Sequence, residues 1–177
     1  MGHVILGLLL LGDRTLYELK KQFEAGVSLF YSASTGSLKR ALDVHLAAGR
    51  VRLTGADAGP RGRKTYAITD AGVADFRAWI LGPIAGPDLE IAALTRVFFL
   101  GLLAPAERAD VMGRIVERAE GALAELRGVA VLLDAQEIPA EYTDVFTHQR
   151  ATLDYGIGAH EHAVAWFRAH AERAADD

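Results

Sequence analysis

The chain has 177 residues, 51% of them hydrophobic, which is enough for one large packed domain or two small ones and excludes a disordered chain. It contains no cysteine, so disulfides, thiolate zinc sites and cysteine nucleophiles are excluded, and a reducing cytoplasm fits. Its net charge of −4 is unevenly spread: residues 1–82 carry 11 Lys and Arg against 7 Asp and Glu, whereas residues 83–177 carry 8 against 16, a pattern that suggests a polyanion-facing module joined to one with another task.

The first apolar run, "VILGLLLLG", is nine residues long. A membrane helix needs about 18 to 20. Asp13 and Arg14 follow at once where a signal peptide would show a small-residue cleavage site, so neither a leader nor a membrane segment is expected. The run reads as a helix closed by Gly12. Next, Thr15 and Glu18 have the T-x-x-E spacing of a capping box, opening a helix with Leu16, Leu19 and Phe23 on one side and Gly26 as its stop. Ser34 or Thr35 caps a third helix, in which Leu38, Leu42 and His45/Leu46 recur at helical spacing before Gly49.

Two strands are then expected, "VRLT" and "TYAIT", joined by "GADAGPRGRK". Tyr66 and Ile68 fall on one face of the second, with Thr65, Ala67 and Thr69 on the other. Gly59, Pro60 and Gly62 suit an exposed arm, and they hold Arg61, Arg63 and Lys64. A helix from about Asp70 to Leu81, burying Val73, Phe76, Trp79 and Ile80, closes the module. Three helices followed by a hairpin describe a winged helix-turn-helix with a two-stranded wing.

Two prolines and two glycines in "LGPIAGPDLE", where the charge changes sign, place a boundary between domains 1–82 and 83–177. The second domain reads as all-helical. "DLEIAALTRVFFLG" gives one helix, and a second of about thirty residues begins near Pro105, with Val111, Ile115, Ala119, Ala122, Leu126 and Val129 as its apolar stripe. A third runs from Tyr142 toward the end. Helices this long cannot bury their stripes in so small a domain, and a two-fold dimer is the simplest remedy. The fold class is therefore mainly α.

"ILGLLLLGDRTLYELKKQFE", "YSASTGSLKRALDVHLAAGRV" and "RKTYAITDAG", in this order, resemble the PadR family of bacterial transcriptional regulators over about the first 80 residues. The acidic remainder, closing on "AVAWFRAH", resembles the dimerisation domain of the longer-tailed members. The chain departs from the family pattern at Lys39, where an aromatic is common, at Leu16, where a small residue is, and at His45, where a core leucine is usual. The resemblance implies a homodimeric repressor of double-stranded DNA promoters, answering to a small aromatic or hydrophobic molecule.

In this fold the third helix enters the major groove and the wing lies along the backbone. The expected DNA contacts are Thr35, Ser37, Lys39, Arg40 and Val44 on the helix and Arg61, Arg63 and Lys64 on the wing. Asp43 faces outward with them. Phe98, Tyr155 and Trp166 are candidate effector contacts, with ordinary core as the competing reading for most of the aromatics. His160 and His162 stand two apart, not at the i, i+4 spacing of a helical ligand pair, so neither metal nor cofactor is expected. No Ser/His/Asp set, phosphate-binding glycine loop or carboxylate pair suggests an enzyme. The alternative to a DNA-binding regulator is a winged helix turned into a protein-binding module, against which stand the retained basic helix and basic wing.

Overall fold

Val4 to Leu9 are six consecutive buried residues, so the first apolar run forms a helix covered all round, α1 (Gly2–Leu10). The computed structural model describes residues 1–56, 64–86 and 88–176. Two units share the chain: Met1–Pro83 with Glu90–Leu102, and Ile84–Leu89 with Leu103–Asp177.

In the first unit, α2 (Leu16–Ala25) opens on the expected capping box: Glu18 N donates to Thr15 Oγ1 at 3.3 Å, and the Glu18 carboxylate accepts from Thr15 N and Oγ1 at 2.8 Å each. Ser34 caps α3 (Thr35–Ala47), accepting from Ser37 N at 3.1 Å. Gly49, at φ +68°, supplies the left-handed residue that ends it.

The sheet has three strands, one more than the sequence pattern suggested. β2 (Val51–Ala56) and β3 (Lys64–Ile68) form the expected hairpin, but β1 (Arg14–Thr15) pairs with the other edge of β3, giving the antiparallel order β1-β3-β2. Two residues are too short to show a period. The alternation expected along β3 also fails: Tyr66 and Ala67 are both buried, because β3 is the central strand and α1 and α2 both pack against it.

Thr69 caps α4 (Asp70–Ile80), accepting from Gly72 N at 3.2 Å and donating to Gly49 O at 2.7 Å, so one hydroxyl ties the start of α4 to the end of α3. Phe76 and Ile80 are buried, but Val73 and Trp79 are only half-buried. The Trp79 ring is instead occupied by cations and rings: His3 stacks on it at 4.8 Å, and the Arg96 guanidinium lies 4.7 Å from its centroid. Arg96 sits on α5 (Leu89–Phe98) and is 2% exposed. It donates to three backbone carbonyls, Ala92 at 3.0 Å, Trp79 at 3.2 Å and Pro83 at 2.9 Å. Phe99 meets Phe76 edge-on at 5.7 Å, and Gly7 of α1 lets both rings approach, since a Cβ there would lie 2.6 Å from Phe99.

The second unit is built on α6 (Pro105–Asp134, 30 residues), which begins on a proline, and α7 (Thr143–Asp176, 34 residues). Ion pairs Glu120–Arg168, Arg127–Glu161 and Asp134–Arg150 advance along α6 as they retreat along α7, so the two helices are antiparallel. Val111, Ile115, Ala119 and Ala122 are buried as expected, and Val164 and Phe167 of α7 are buried in this unit too. The stripe does not continue to the end. Leu126 is half-buried and Val129 exposed, as are Val131 and Leu132, because two helices leave one flank of each uncovered. Among the described residues no helix is long and apolar enough to cross a membrane.

Candidate nucleic-acid interface

Leu38, Leu42 and His45 pin one side of α3 into the first unit. The helical period then sets the opposite side outward, and Thr35, Gly36, Lys39, Arg40, Asp43 and Val44 are all exposed there. Val44 is 62% exposed on that side. Ser37 is half-buried and committed to the cap, its hydroxyl donating to Ser34 O at 2.7 Å. Lys39 Nζ donates to Asp43 Oδ2 at 2.8 Å across one turn, and the carboxylate raises the lysine's proton affinity above its ordinary value. Among the described residues no ion pair engages Arg40.

Lys64 is exposed at the first position of β3, opposite Ala56 in the hairpin register. Arg61 and Arg63 lie outside the described residues. Tyr66 joins the wing electrically to α3: burial pushes its phenol up, Asp43 adds to that shift, and Lys39 opposes it. Exposed Arg52 on β2 is a further cation beside the wing. Nothing in its local pattern distinguishes it from an ordinary surface arginine.

The buried end of α3 rests on a group of titratable side chains. His45 is 5% exposed, and its ring faces the Gly2 backbone without a well-formed hydrogen bond on either nitrogen. Desolvation lowers its pKa, and Arg50 and the Met1 amine act in the same direction against the Gly2 backbone and Asp75. Asp75 is itself shared between Arg50 Nε at 3.3 Å and His3 Nε2 at 3.5 Å. His3 is also lowered, by desolvation first. Position 45, where the resemblance leads us to expect a core leucine, thus holds a buried imidazole that favours its neutral form.

The aromatic candidates fall in different places. Phe98, 41% exposed, belongs to the first unit, where it meets Phe30 and Phe99 and covers Gly26. Tyr155, 80% exposed, and Trp166, 39% exposed, lie on α7. They share one helical face but stand about 16 Å apart along the axis, so they do not meet within one chain. Trp166 stacks on His170 at 5.2 Å and meets Phe167 edge-on. Among the described residues no group of three His, Asp or Glu gathers into a metal site.

Residues 92–174 match the family model described as Virulence activator alpha C-term. The negative transcriptional regulator PadR of Bacillus subtilis (strain 168) is 21% identical over 171 residues, spanning 94% of this chain and 92% of that protein. The chain is similar to PadR along nearly its whole length. Similar solved structures include Bacillus subtilis PadR in complex with operator DNA (20% identical, 97% of this chain and 96% of that one, TM-score 0.42). The same protein in complex with p-coumaric acid is 19% identical, with 99% and 96% covered and a TM-score of 0.43. The Vibrio cholerae virulence activator AphA is 22% identical, with 99% and 95% covered and a TM-score of 0.41.

Proposed function

We propose that this PadR-like chain is a sequence-specific, DNA-binding transcriptional regulator: a cytoplasmic homodimeric repressor, not an enzyme, whose grip on a promoter answers to a small aromatic or hydrophobic molecule. The observation that carries the reading is the outward side of α3, where Thr35, Gly36, Lys39, Arg40 and Val44 are exposed while Leu38, Leu42 and His45 hold the other side inside. In a winged helix that side enters the major groove. Arg40 would read a guanine edge, Thr35 and Ser37 would contact phosphate or base near the helix N-terminus, and Val44 would meet a thymine methyl. Arg61, Arg63 and Lys64 would track phosphates beside it.

A second copy of the chain would cover the apolar end of the second unit, where Val129, Val131, Leu132, Tyr142 and Val145 are exposed. Tyr155 and Trp166 on the second unit and, separately, Phe98 on the first are the proposed effector contacts, by analogy with a relative described in complex with an aromatic acid.

The test is binding of the purified chain to a fragment of its own promoter beside a random fragment, titrated across salt. Preference for the promoter, with a footprint of two half-sites one helical turn or a multiple apart, supports the reading. Arg40→Ala should then remove about 1–3 kcal/mol of promoter binding and relax specificity at one position per half-site. Equal, weak binding to both fragments that vanishes near physiological salt overturns it.

A further inference from the structure

Asp43 is out of place on a surface meant for DNA. A carboxylate on the groove-facing side of α3 repels phosphates, and phosphate contacts supply nearly all sequence-independent affinity. Phosphate oxygens only accept hydrogen bonds, as does a carboxylate, so Asp43 can gain nothing from the backbone of the duplex. The amino groups of bases are the donors within reach in the major groove. Asp43 also does not stand alone. Its Oδ2 accepts from Lys39 Nζ at 2.8 Å, while among the described residues Oδ1 has no partner.

The pair therefore presents a donor, Lys39 Nζ, and through the same carboxylate's Oδ1 an acceptor beside it, the complement of neighbouring acceptor and donor groups on a base pair. In a G·C pair the cytosine N4 amine donates to guanine O6, which sets these two atoms about 2.9 Å apart at the floor of the major groove. Resting on the reading that α3 enters that groove, we propose that Lys39 and Asp43 together read one G·C base pair in each half-site. Lys39 donates to guanine O6 and N7, and Asp43 accepts the second N4 hydrogen of cytosine.

Orientation follows from the same atoms. Guanine offers the ammonium two neighbouring acceptors and cytosine offers the carboxylate a lone donor. A T·A pair repeats the central acceptor and donor with thymine O4 and adenine N6, but replaces guanine N7 by a methyl group beside the ammonium and sets adenine N7, another acceptor, beside the carboxylate. Because the ion pair already holds Lys39, less side-chain freedom remains to be lost on binding. Tyr66, on the neighbouring strand, is electrostatically coupled to both partners, so the pair lies where helix and wing approach each other.

The experiment measures Kd for promoter fragments in which every base pair of one half-site is changed singly, with wild type, Asp43→Ala and Lys39→Ala. Wild type should show one G·C position where either inversion or replacement by A·T weakens binding about fivefold or more, the lower range for one good base contact. In Asp43→Ala that penalty should fall below about twofold, with penalties elsewhere retained and random-DNA binding tightened by loss of a negative charge. Lys39→Ala should lose the same position and no other. If Asp43→Ala keeps the wild-type pattern, or weakens all fragments by one factor, the pairing is overturned while the regulator reading stands. A wild-type protein with no positional preference overturns both.

Discussion

Gly72→Ala is a sharp test of the packing that orients α3 against the wing. A Cβ at residue 72 would lie 2.2 Å from Arg50 O, 2.7 Å from Ile68 Cγ1 and 3.1 Å from the Arg50 carbonyl carbon. The oxygen cannot simply turn aside, because it accepts from Thr69 N at 3.0 Å. Relief requires the start of α4 or the turn at residues 49–50 to shift by about 1 Å, which strains or breaks that bond. Overpacking costs about 1–3 kcal/mol and the lost bond about 1 kcal/mol more. Alanine returns about 0.5–1 kcal/mol through its better helix propensity. The net loss is about 2–3 kcal/mol, and for a unit of this size it lowers the melting midpoint by roughly 10–20 °C. Thermal unfolding followed by tryptophan fluorescence in a Trp166→Phe background measures it, since Trp79 then reports on the first unit alone. A midpoint within about 4 °C of the parent would show that the turn yields cheaply and that the close approach does not fix the geometry.

Thr15→Ala removes the hydroxyl half of the capping box on α2, leaving only the residue 15 N–H on the Glu18 carboxylate, and should cost the first unit about 1 kcal/mol, read as a lower denaturant midpoint with unchanged m. The pH response of the first unit follows from His45 and His3. Both imidazoles are held below the ordinary 6.5 by desolvation, so the unfolded chain binds their protons first. Their stabilisation is therefore intact above about pH 6.5 and is lost as pH falls below it toward the depressed folded values. Melting midpoints from pH 8 to pH 5 should decline below that point, and His45→Leu should flatten the decline; an equally steep curve in the variant would remove His45 from the account.

Local chemistry made the helices legible. Thr15 with Glu18, Ser34, Gly49 and Pro105 each act on main-chain groups within a few residues, so the spacing that announces them in the sequence is also the geometry that satisfies them. β1 escaped because two residues have no period, and Ala67 because the burial of a central strand depends on what covers it. The Lys39–Asp43 spacing and the outward position of Asp43 were visible, but not that Tyr66 of the wing would be coupled to both. The sequence sets one boundary at residues 81–90 and assigns everything beyond it to the second domain, whereas residues 90–102 cluster with the first unit. Which unit α5 joins is decided by contacts far along the chain, where Phe99 finds Phe76 and Arg96 finds Trp79.

The hold that Arg96 keeps on the end of α4 uses acceptors every residue possesses. Ala92 and Pro83 offer only their carbonyl oxygens to it, so either position can change identity without altering the acceptor. Position 96 has no such freedom: reaching carbonyls 4, 13 and 17 residues away requires a planar fork, and a lysine, with one nitrogen, would abandon some of them. Mutational tolerance around this joint is therefore lopsided, with one intolerant side chain surrounded by permissive neighbours, and Trp79 is the exception because it lends its ring as well as its backbone.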